Sequence, residues 1–210
     1  MASPTITILA AGAFPRRKKV RRLLSEADLV ICCDGAAASL LAFGREPDLI
    51  VGDLDSLPNE LKQRFAGRLR HFAGQDDNDL SKAFHVALEF NPAVIHILGA
   101  TGRREDHTLG NISLLAEYQR EVPLCKIDMV SDRGRFVSAS GQCTFQCVAG
   151  QQISIFAFDP ALRMTSAGLQ YPLSGVVFDT LWKATLNRAC GSEFTLTPSN
   201  GSYYLVYFCD

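Results

Sequence analysis

Aspartates gather in three short stretches of this chain and arginines in a fourth, at spacings that suit a metal ion and a polyphosphate. The stretches are Asp34-Gly35-Ala36-Ala37, Gly52-Asp53-Leu54-Asp55-Ser56, Gln75-Asp76-Asp77-Asn78-Asp79 and the run from Gly99 to His107, which holds Gly102, Arg103, Arg104, Glu105 and Asp106. One Asp in a turn is explained by helix capping, and taken singly Asp34 and Asp79 read as caps. As a set, Asp34, Asp53, Asp55, Asp76 and Asp79 repel one another unless a cation sits among them. Oxygen donors without a His or Cys cluster favour a hard ion. Mg²⁺ takes one or two carboxylates and leaves its remaining positions to substrate phosphates and water, which points to a nucleotide. In Asp53-Leu54-Asp55 the carboxylates stand at i and i+2, which on an extended segment puts both on one face. Gly52 lets the backbone approach closely. In the fourth stretch, Gly99 and Gly102 suit a phosphate cradle and Arg104 offers bidentate contacts to phosphate oxygens. His107, beside Asp106 at the start of a helix, either orients a phosphate or caps.

Several chemistries are excluded or lose support. There is no Gly-x-x-x-x-Gly-Lys-Ser/Thr phosphate loop, and Ala10-Ala11-Gly12-Ala13-Phe14-Pro15 stands where a dinucleotide fingerprint would follow the first strand. The seven cysteines lack zinc-ribbon spacing and read as small buried hydrophobes. Their odd number and a beginning without signal-peptide character suit a reducing compartment, so the expected location is cytoplasmic. A formal charge of −1 gives no general attraction to nucleic acid or membrane. The cluster Arg16-Arg17-Lys18-Lys19 with Arg21 and Arg22 is either a phosphate-facing patch or, more commonly, the solvated face of a helix. No apolar run approaches the roughly 20 residues of a membrane span.

These turns need a scaffold that brings them together. β-Branched runs at 5–10, 29–33, 49–51, 70–72, 94–98 and 124–130 alternate with helical patterns around 16–25, 36–43, 58–66, 78–90 and 107–119. Such alternation predicts βαβ units and a mostly parallel, helix-covered sheet. Ligands of such sheets bind beyond the carboxyl ends of the strands, where the four stretches fall. After residue 130 the pattern becomes short strands at 135–139, 142–147, 152–158, 168–172, 184–187, 193–197 and 203–208, which predicts an antiparallel sandwich. The expected fold is thus an α/β parallel-sheet domain over 1–132 followed by an all-β sandwich over 133–210.

In this order, the four turns resemble the motifs of the thiamine pyrophosphokinase family. The matching residues are Asp34-Gly35-Ala36-Ala37, Pro47-Asp48 with Gly52-Asp53-Leu54-Asp55-Ser56, Asp76-Asp77-Asn78-Asp79, and Gly102-Arg103-Arg104-Glu105-Asp106-His107 followed by Asn111. The resemblance implies an α/β catalytic domain, a β-sandwich and a homodimer that moves a pyrophosphoryl group from ATP to thiamine. It also implies that Asp53, Asp55 and Asp79 bind Mg²⁺, with Asp34 and Asp76 close by. Gln75, Gly35, Gly102, Arg104, Asp106, His107 and Asn111 would then line the nucleotide site. In the C-terminal half, Thr185, Asn187 and Tyr204 are the nearest equivalents of the family's thiamine-holding residues. Three positions depart from the family pattern: Ala36 replaces a common Gly, Asn78 a usual Thr, and Arg103 the second Gly of Gly-Gly-Arg. Rival readings are a diphosphokinase for another hydroxymethyl heterocycle such as a pterin, a non-catalytic nucleotide or thiamine diphosphate sensor, and a metal-dependent phosphohydrolase.

Overall fold

The computed structural model describes residues 3–74 and 77–210. They divide into two compact units, Met1–Leu114 with Val122–Asp132, and Leu115–Glu121 with Arg133–Asp210. In the first, the β-branched runs become β1 (Thr5–Leu9), β2 (Leu29–Cys33), β3 (Leu49–Gly52), β4 (Leu69–His71), β5 (Val94–Leu98) and β6 (Lys126–Ser131). Their order is β6-β5-β1-β2-β3-β4, and every pairing among them is parallel. Between them run α1 (Lys18–Ser25), α2 (Ala36–Phe43), α3 (Asn59–Arg64), α4 (Asp79–Leu88) and α5 (Glu105–Glu121).

The central strands are apolar on both faces: Ile6, Ile8, Val30, Ile31, Ile50, Val51, Ile95 and Ile97 are all fully buried. That is the pattern of a parallel sheet covered by helices on each side. Helix α2 stops at Gly44, whose left-handed φ of 95° returns its N–H to the carbonyls of Leu40 and Leu41. The chain builds β1 to β4 outward on one side and then returns β5 to the other side of β1. The segments leaving β1 and β5 therefore emerge side by side at a topological switch point.

The second unit contains β7 (Gly134–Ala139), β8 (Cys143–Gln146), β9 (Gln152–Ala157), β10 (Arg163–Ala167), β11 (Ser174–Val177), β12 (Ala184–Arg188), β13 (Glu193–Pro198) and β14 (Tyr204–Cys209). Two antiparallel layers result, β12-β9-β14-β7 and β11-β10-β13-β8. Ile153, Ile155, Met164, Phe194, Leu196, Tyr204, Val206 and Phe208 fill the space between them. The α/β sheet followed by an antiparallel sandwich is the fold expected from the change of pattern after residue 130.

One expected strand is corrected. Residues 168–172 form no strand beyond a single bridge from Leu169 to Ala189. Gly168, at φ 80°, turns the chain so tightly against β13 that a Cβ there would lie 2.8 Å from the Glu193 carbonyl oxygen. The ladder is instead carried by β10 and β11 on either side.

Candidate active site

The switch point is tied by backbone hydrogen bonds between the two emerging segments. Ala10 N–H donates to the Leu98 carbonyl at 2.8 Å, Gly12 N–H to Gly99 at 2.6 Å, and Ala13 N–H to Thr101 at 2.8 Å. Glycine is required for this approach. A Cβ on Gly12 would sit 2.2 Å from the Gly99 oxygen, and one on Gly99, at φ 65°, 2.5 Å from the Ala10 oxygen. Beside this seam lie two cavities, one of about 420 Å³ lined by Asp53, Asp79, Lys82, Arg104, His107 and Asn111 among others. The other, of about 220 Å³, is lined by Asp34, Gly35, Ser39, Ser56 and Asp79 among others.

Three carboxylates converge here. Asp34, Asp53 and Asp79 each offer an oxygen within 4.8 Å of the others. They come from the ends of β2 and β3 and from the first residue of α4. Asp34 is buried, with a backbone φ of 37°, and its Oδ2 accepts the Ser56 N–H at 2.9 Å. Its Oδ1 is buried without a hydrogen-bond partner among the described residues. Burial pushes the Asp34 carboxyl above the ordinary carboxylate range; the Ser56 N–H opposes this, while the charges of Asp53 and Asp79 push the same way.

Asp79 is free for this cluster because Asn78 does the capping: the Asn78 side chain accepts the Ser81 N–H at 2.9 Å. Asn for Thr at position 78 thus preserves a capping function, and Asp79 is not the cap it resembles in isolation. Asp34 is no helix cap either, since α2 starts without a side-chain cap. Gly52, at φ 150°, leaves room for the cluster, because a Cβ there would stand 3.1 Å from Asp79 Cγ and 3.2 Å from Asp34 Cβ.

Asp55 does not join this group. The expectation that Asp53 and Asp55 share a face required an extended backbone, but Leu54 adopts φ 64° and buries its side chain. The left-handed turn sends Asp55 to the surface, while its N–H donates to Asp53 Oδ1 at 3.1 Å. The described carboxylates that could share an ion are therefore Asp34, Asp53 and Asp79. Gln75 and Asp76 lie outside the described residues.

The fourth turn is arranged differently from its expectation. Arg104 is engaged with Asp106 through Nε at 3.1 Å and Nη2 at 2.6 Å, and Asp106 also accepts the His107 N–H. Arg104 holds the Asp106 carboxyl down to about 2. His107 and Asn111 line the larger cavity, where Asn111 Nδ2 donates to the Ala100 carbonyl at 2.8 Å. Gly102, at φ 85°, makes the turn, since a Cβ there would meet Ala13 Cβ at 2.8 Å. Lys82, missed in the sequence, is buried in the cavity wall with Nζ 3.3 Å from Asp79 Oδ1. Its one legible signal was the i, i+3 spacing from Asp79 on the face of α4.

The sandwich residues expected to hold an acceptor are committed elsewhere. Tyr204 is fully buried in the core, and its hydroxyl donates to the Gly141 carbonyl at 3.1 Å. Asn187, also buried, clamps Tyr171 by accepting its N–H at 3.1 Å and donating to its carbonyl at 2.7 Å. The polar groups of both side chains are thus paired within the sandwich. The hydroxyl of half-buried Thr185 donates to the Trp182 carbonyl.

Family models for the thiamin pyrophosphokinase catalytic domain and substrate-binding domain match residues 20–126 and 134–207. The chain belongs to the thiamin pyrophosphokinase family. Thiamine pyrophosphokinase of Bacillus subtilis is 31% identical over 177 residues, which cover 81% of this chain and 82% of that protein. The crystal structure of thiamine pyrophosphokinase from B. subtilis superposes with a TM-score of 0.77 at 26% identity, covering 98% of this chain and 99% of that one. Thiamin pyrophosphokinase from Geobacillus thermodenitrificans gives 0.79 at 25% identity, covering 98% of both. The enzyme class expected from the four turns is the one these relatives carry.

Proposed function

We propose that this member of the family transfers the β,γ-pyrophosphoryl group of ATP to the hydroxyl of thiamine, giving thiamine diphosphate and AMP, with Mg²⁺ held by Asp34, Asp53 and Asp79. One observation carries the metal assignment: a buried carboxylate oxygen of Asp34 has no partner among the described residues, at a point where three carboxylates converge. An all-oxygen donor set of this charge suits Mg²⁺. When bound, the ion neutralises phosphate charge and so favours nucleophilic attack at phosphorus. The chain's own residues do the positioning. Ser56 N–H orients Asp34, Asn78 frees Asp79, and Lys82 keeps a positive charge beside Asp79 in the cavity wall. Asn111, anchored on Ala100, and His107 add polar groups to the same cavity. Holding the reactants in one orientation in a charged cleft supplies most of the acceleration in transfers of this kind.

The proposed location is the cytoplasm, supported by seven free cysteines, which belong to a reducing compartment. The proposed assembly is a homodimer, supported by exposed apolar side chains on the sandwich such as Trp182 and Leu186, and sedimentation of the purified protein tests it. The activity is tested by incubating the protein with Mg-ATP and either thiamine or a hydroxymethylpterin, while AMP and the diphosphorylated acceptor are followed. Thiamine-dependent AMP supports the proposal. AMP formation only with the pterin, or phosphate release with no acceptor, would replace it.

A further inference from the structure

Arg103 stands where the two cavities meet. Among the described residues, only Ala10, Ala11, Gly12, Asp79 and Arg103 line both. Three lysine or arginine side chains reach these walls, and two are already ion-paired, Lys82 with Asp79 and Arg104 with Asp106. Arg103 is exposed and makes no hydrogen bond or ion pair with another described residue. Its backbone carries no strain, because the left-handed step of the turn is taken by Gly102 at φ 85° while residue 103 stays at negative φ.

From this we infer that Arg103 is a polyphosphate clamp, its guanidinium gripping the phosphates of the incoming nucleotide where the two cavities share their wall. The inference rests on the proposed ATP-dependent reading and names which side chain reads the phosphates. The physical reason is charge. Three converging carboxylates repel a polyphosphate except where the cation shields it, so the phosphate oxygens not facing that cation need a separate partner. A free guanidinium supplies one in a planar, two-pronged form that matches phosphate geometry. Arg104 would have to surrender Asp106 to do the same.

Calorimetric titration of Mg-ATP and of magnesium tripolyphosphate, without acceptor, into the wild type, Arg103→Gly and Arg103→Lys tests this. Arg103→Gly is expected to weaken both ligands by about tenfold, the loss of one charge-assisted contact, and Arg103→Lys by a smaller factor because charge remains without the fork. In turnover the loss should appear in KM for ATP and leave KM for thiamine within about twofold. An unchanged thermal midpoint shows that both variants are folded. Arg103→Gly binding magnesium tripolyphosphate like the wild type would overturn the clamp while leaving the activity standing. Arg103-dependent binding in a protein that makes no thiamine diphosphate would keep the clamp and sink the activity. Wild-type protein that binds neither ligand would sink both.

Discussion

The polar residues at the ends of the parallel strands and those of the sandwich look alike in sequence, yet the two units use them in opposite ways. At the switch point, Asp34 is buried and has an oxygen without a partner among the described residues, beside Asp53 and Asp79. In the sandwich, Asn187 and Tyr204 are just as buried, but their polar atoms are satisfied by the Tyr171 and Gly141 backbone. A buried polar group without a partner is expensive, so its persistence marks a place where something else is meant to bind. A buried group with partners marks architecture. Satisfaction, rather than burial or residue type, is what separates the proposed site from the scaffold.

The largest effect expected from this contrast is within the acidic cluster. Asn in place of Asp34, Asp53 or Asp79 should lower AMP formation by about 10²- to 10³-fold, as removal of a preorganised charged group commonly does. Asp55→Asn, at an exposed carboxylate outside the cluster, should cost less than about tenfold. Equal collapse of Asp55→Asn would erase the distinction between the two carboxylates. Mg²⁺ affinity measured in the same variants separates loss of the ion from loss of a later step.

An intermediate effect is expected at Gly52. Gly52→Ala adds a Cβ in a strained conformation against Asp79 Cγ and Asp34 Cβ, so the cluster must spread. Activity should fall by about tenfold, with a stability loss of about 1 kcal/mol or more. Wild-type Mg²⁺ dependence in Gly52→Ala would mean that the cluster tolerates a wider spacing than its geometry implies.

The smallest effects on turnover are expected in the sandwich, where stability should change instead. Asn187→Ala leaves the Tyr171 backbone unpaired and should cost about 1–3 kcal/mol, and Tyr204→Phe about 1 kcal/mol through the lost bond to Gly141. For a chain of this size each kcal/mol lowers the thermal midpoint by about 2–4 °C. At temperatures where the variants are folded, KM for thiamine should stay within about twofold of wild type. A selective rise in that constant would return these side chains to the acceptor site.

Much of the molecule was legible in advance, because hydrophobic periodicity is local and strong. The alternation of β-branched runs with helical patterns marked the parallel sheet, and the loss of that alternation after residue 130 marked the sandwich. The carboxylates that meet were also legible, since Asp34 and Asp53 follow strands that end on one edge of the sheet and Asp79 opens the helix after β4. What could not be read was which neighbour in each turn points inward. A single left-handed residue, Leu54, removed Asp55 from the cluster, and a single cap, Asn78, released Asp79 into it.

Residue order and type by themselves determined the fold class, the family motifs and the gathering of acidic residues at one edge of the sheet. Only the tertiary structure decided that Asp34 rather than Asp55 lies with Asp53 and Asp79, that Arg104 is paired with Asp106, and that Arg103 lines both cavities without a partner among the described residues. The reason is that patterns report which face of an element is apolar. The partner of an individual charge depends on backbone angles and on contacts between segments distant in the chain, which no local spacing encodes.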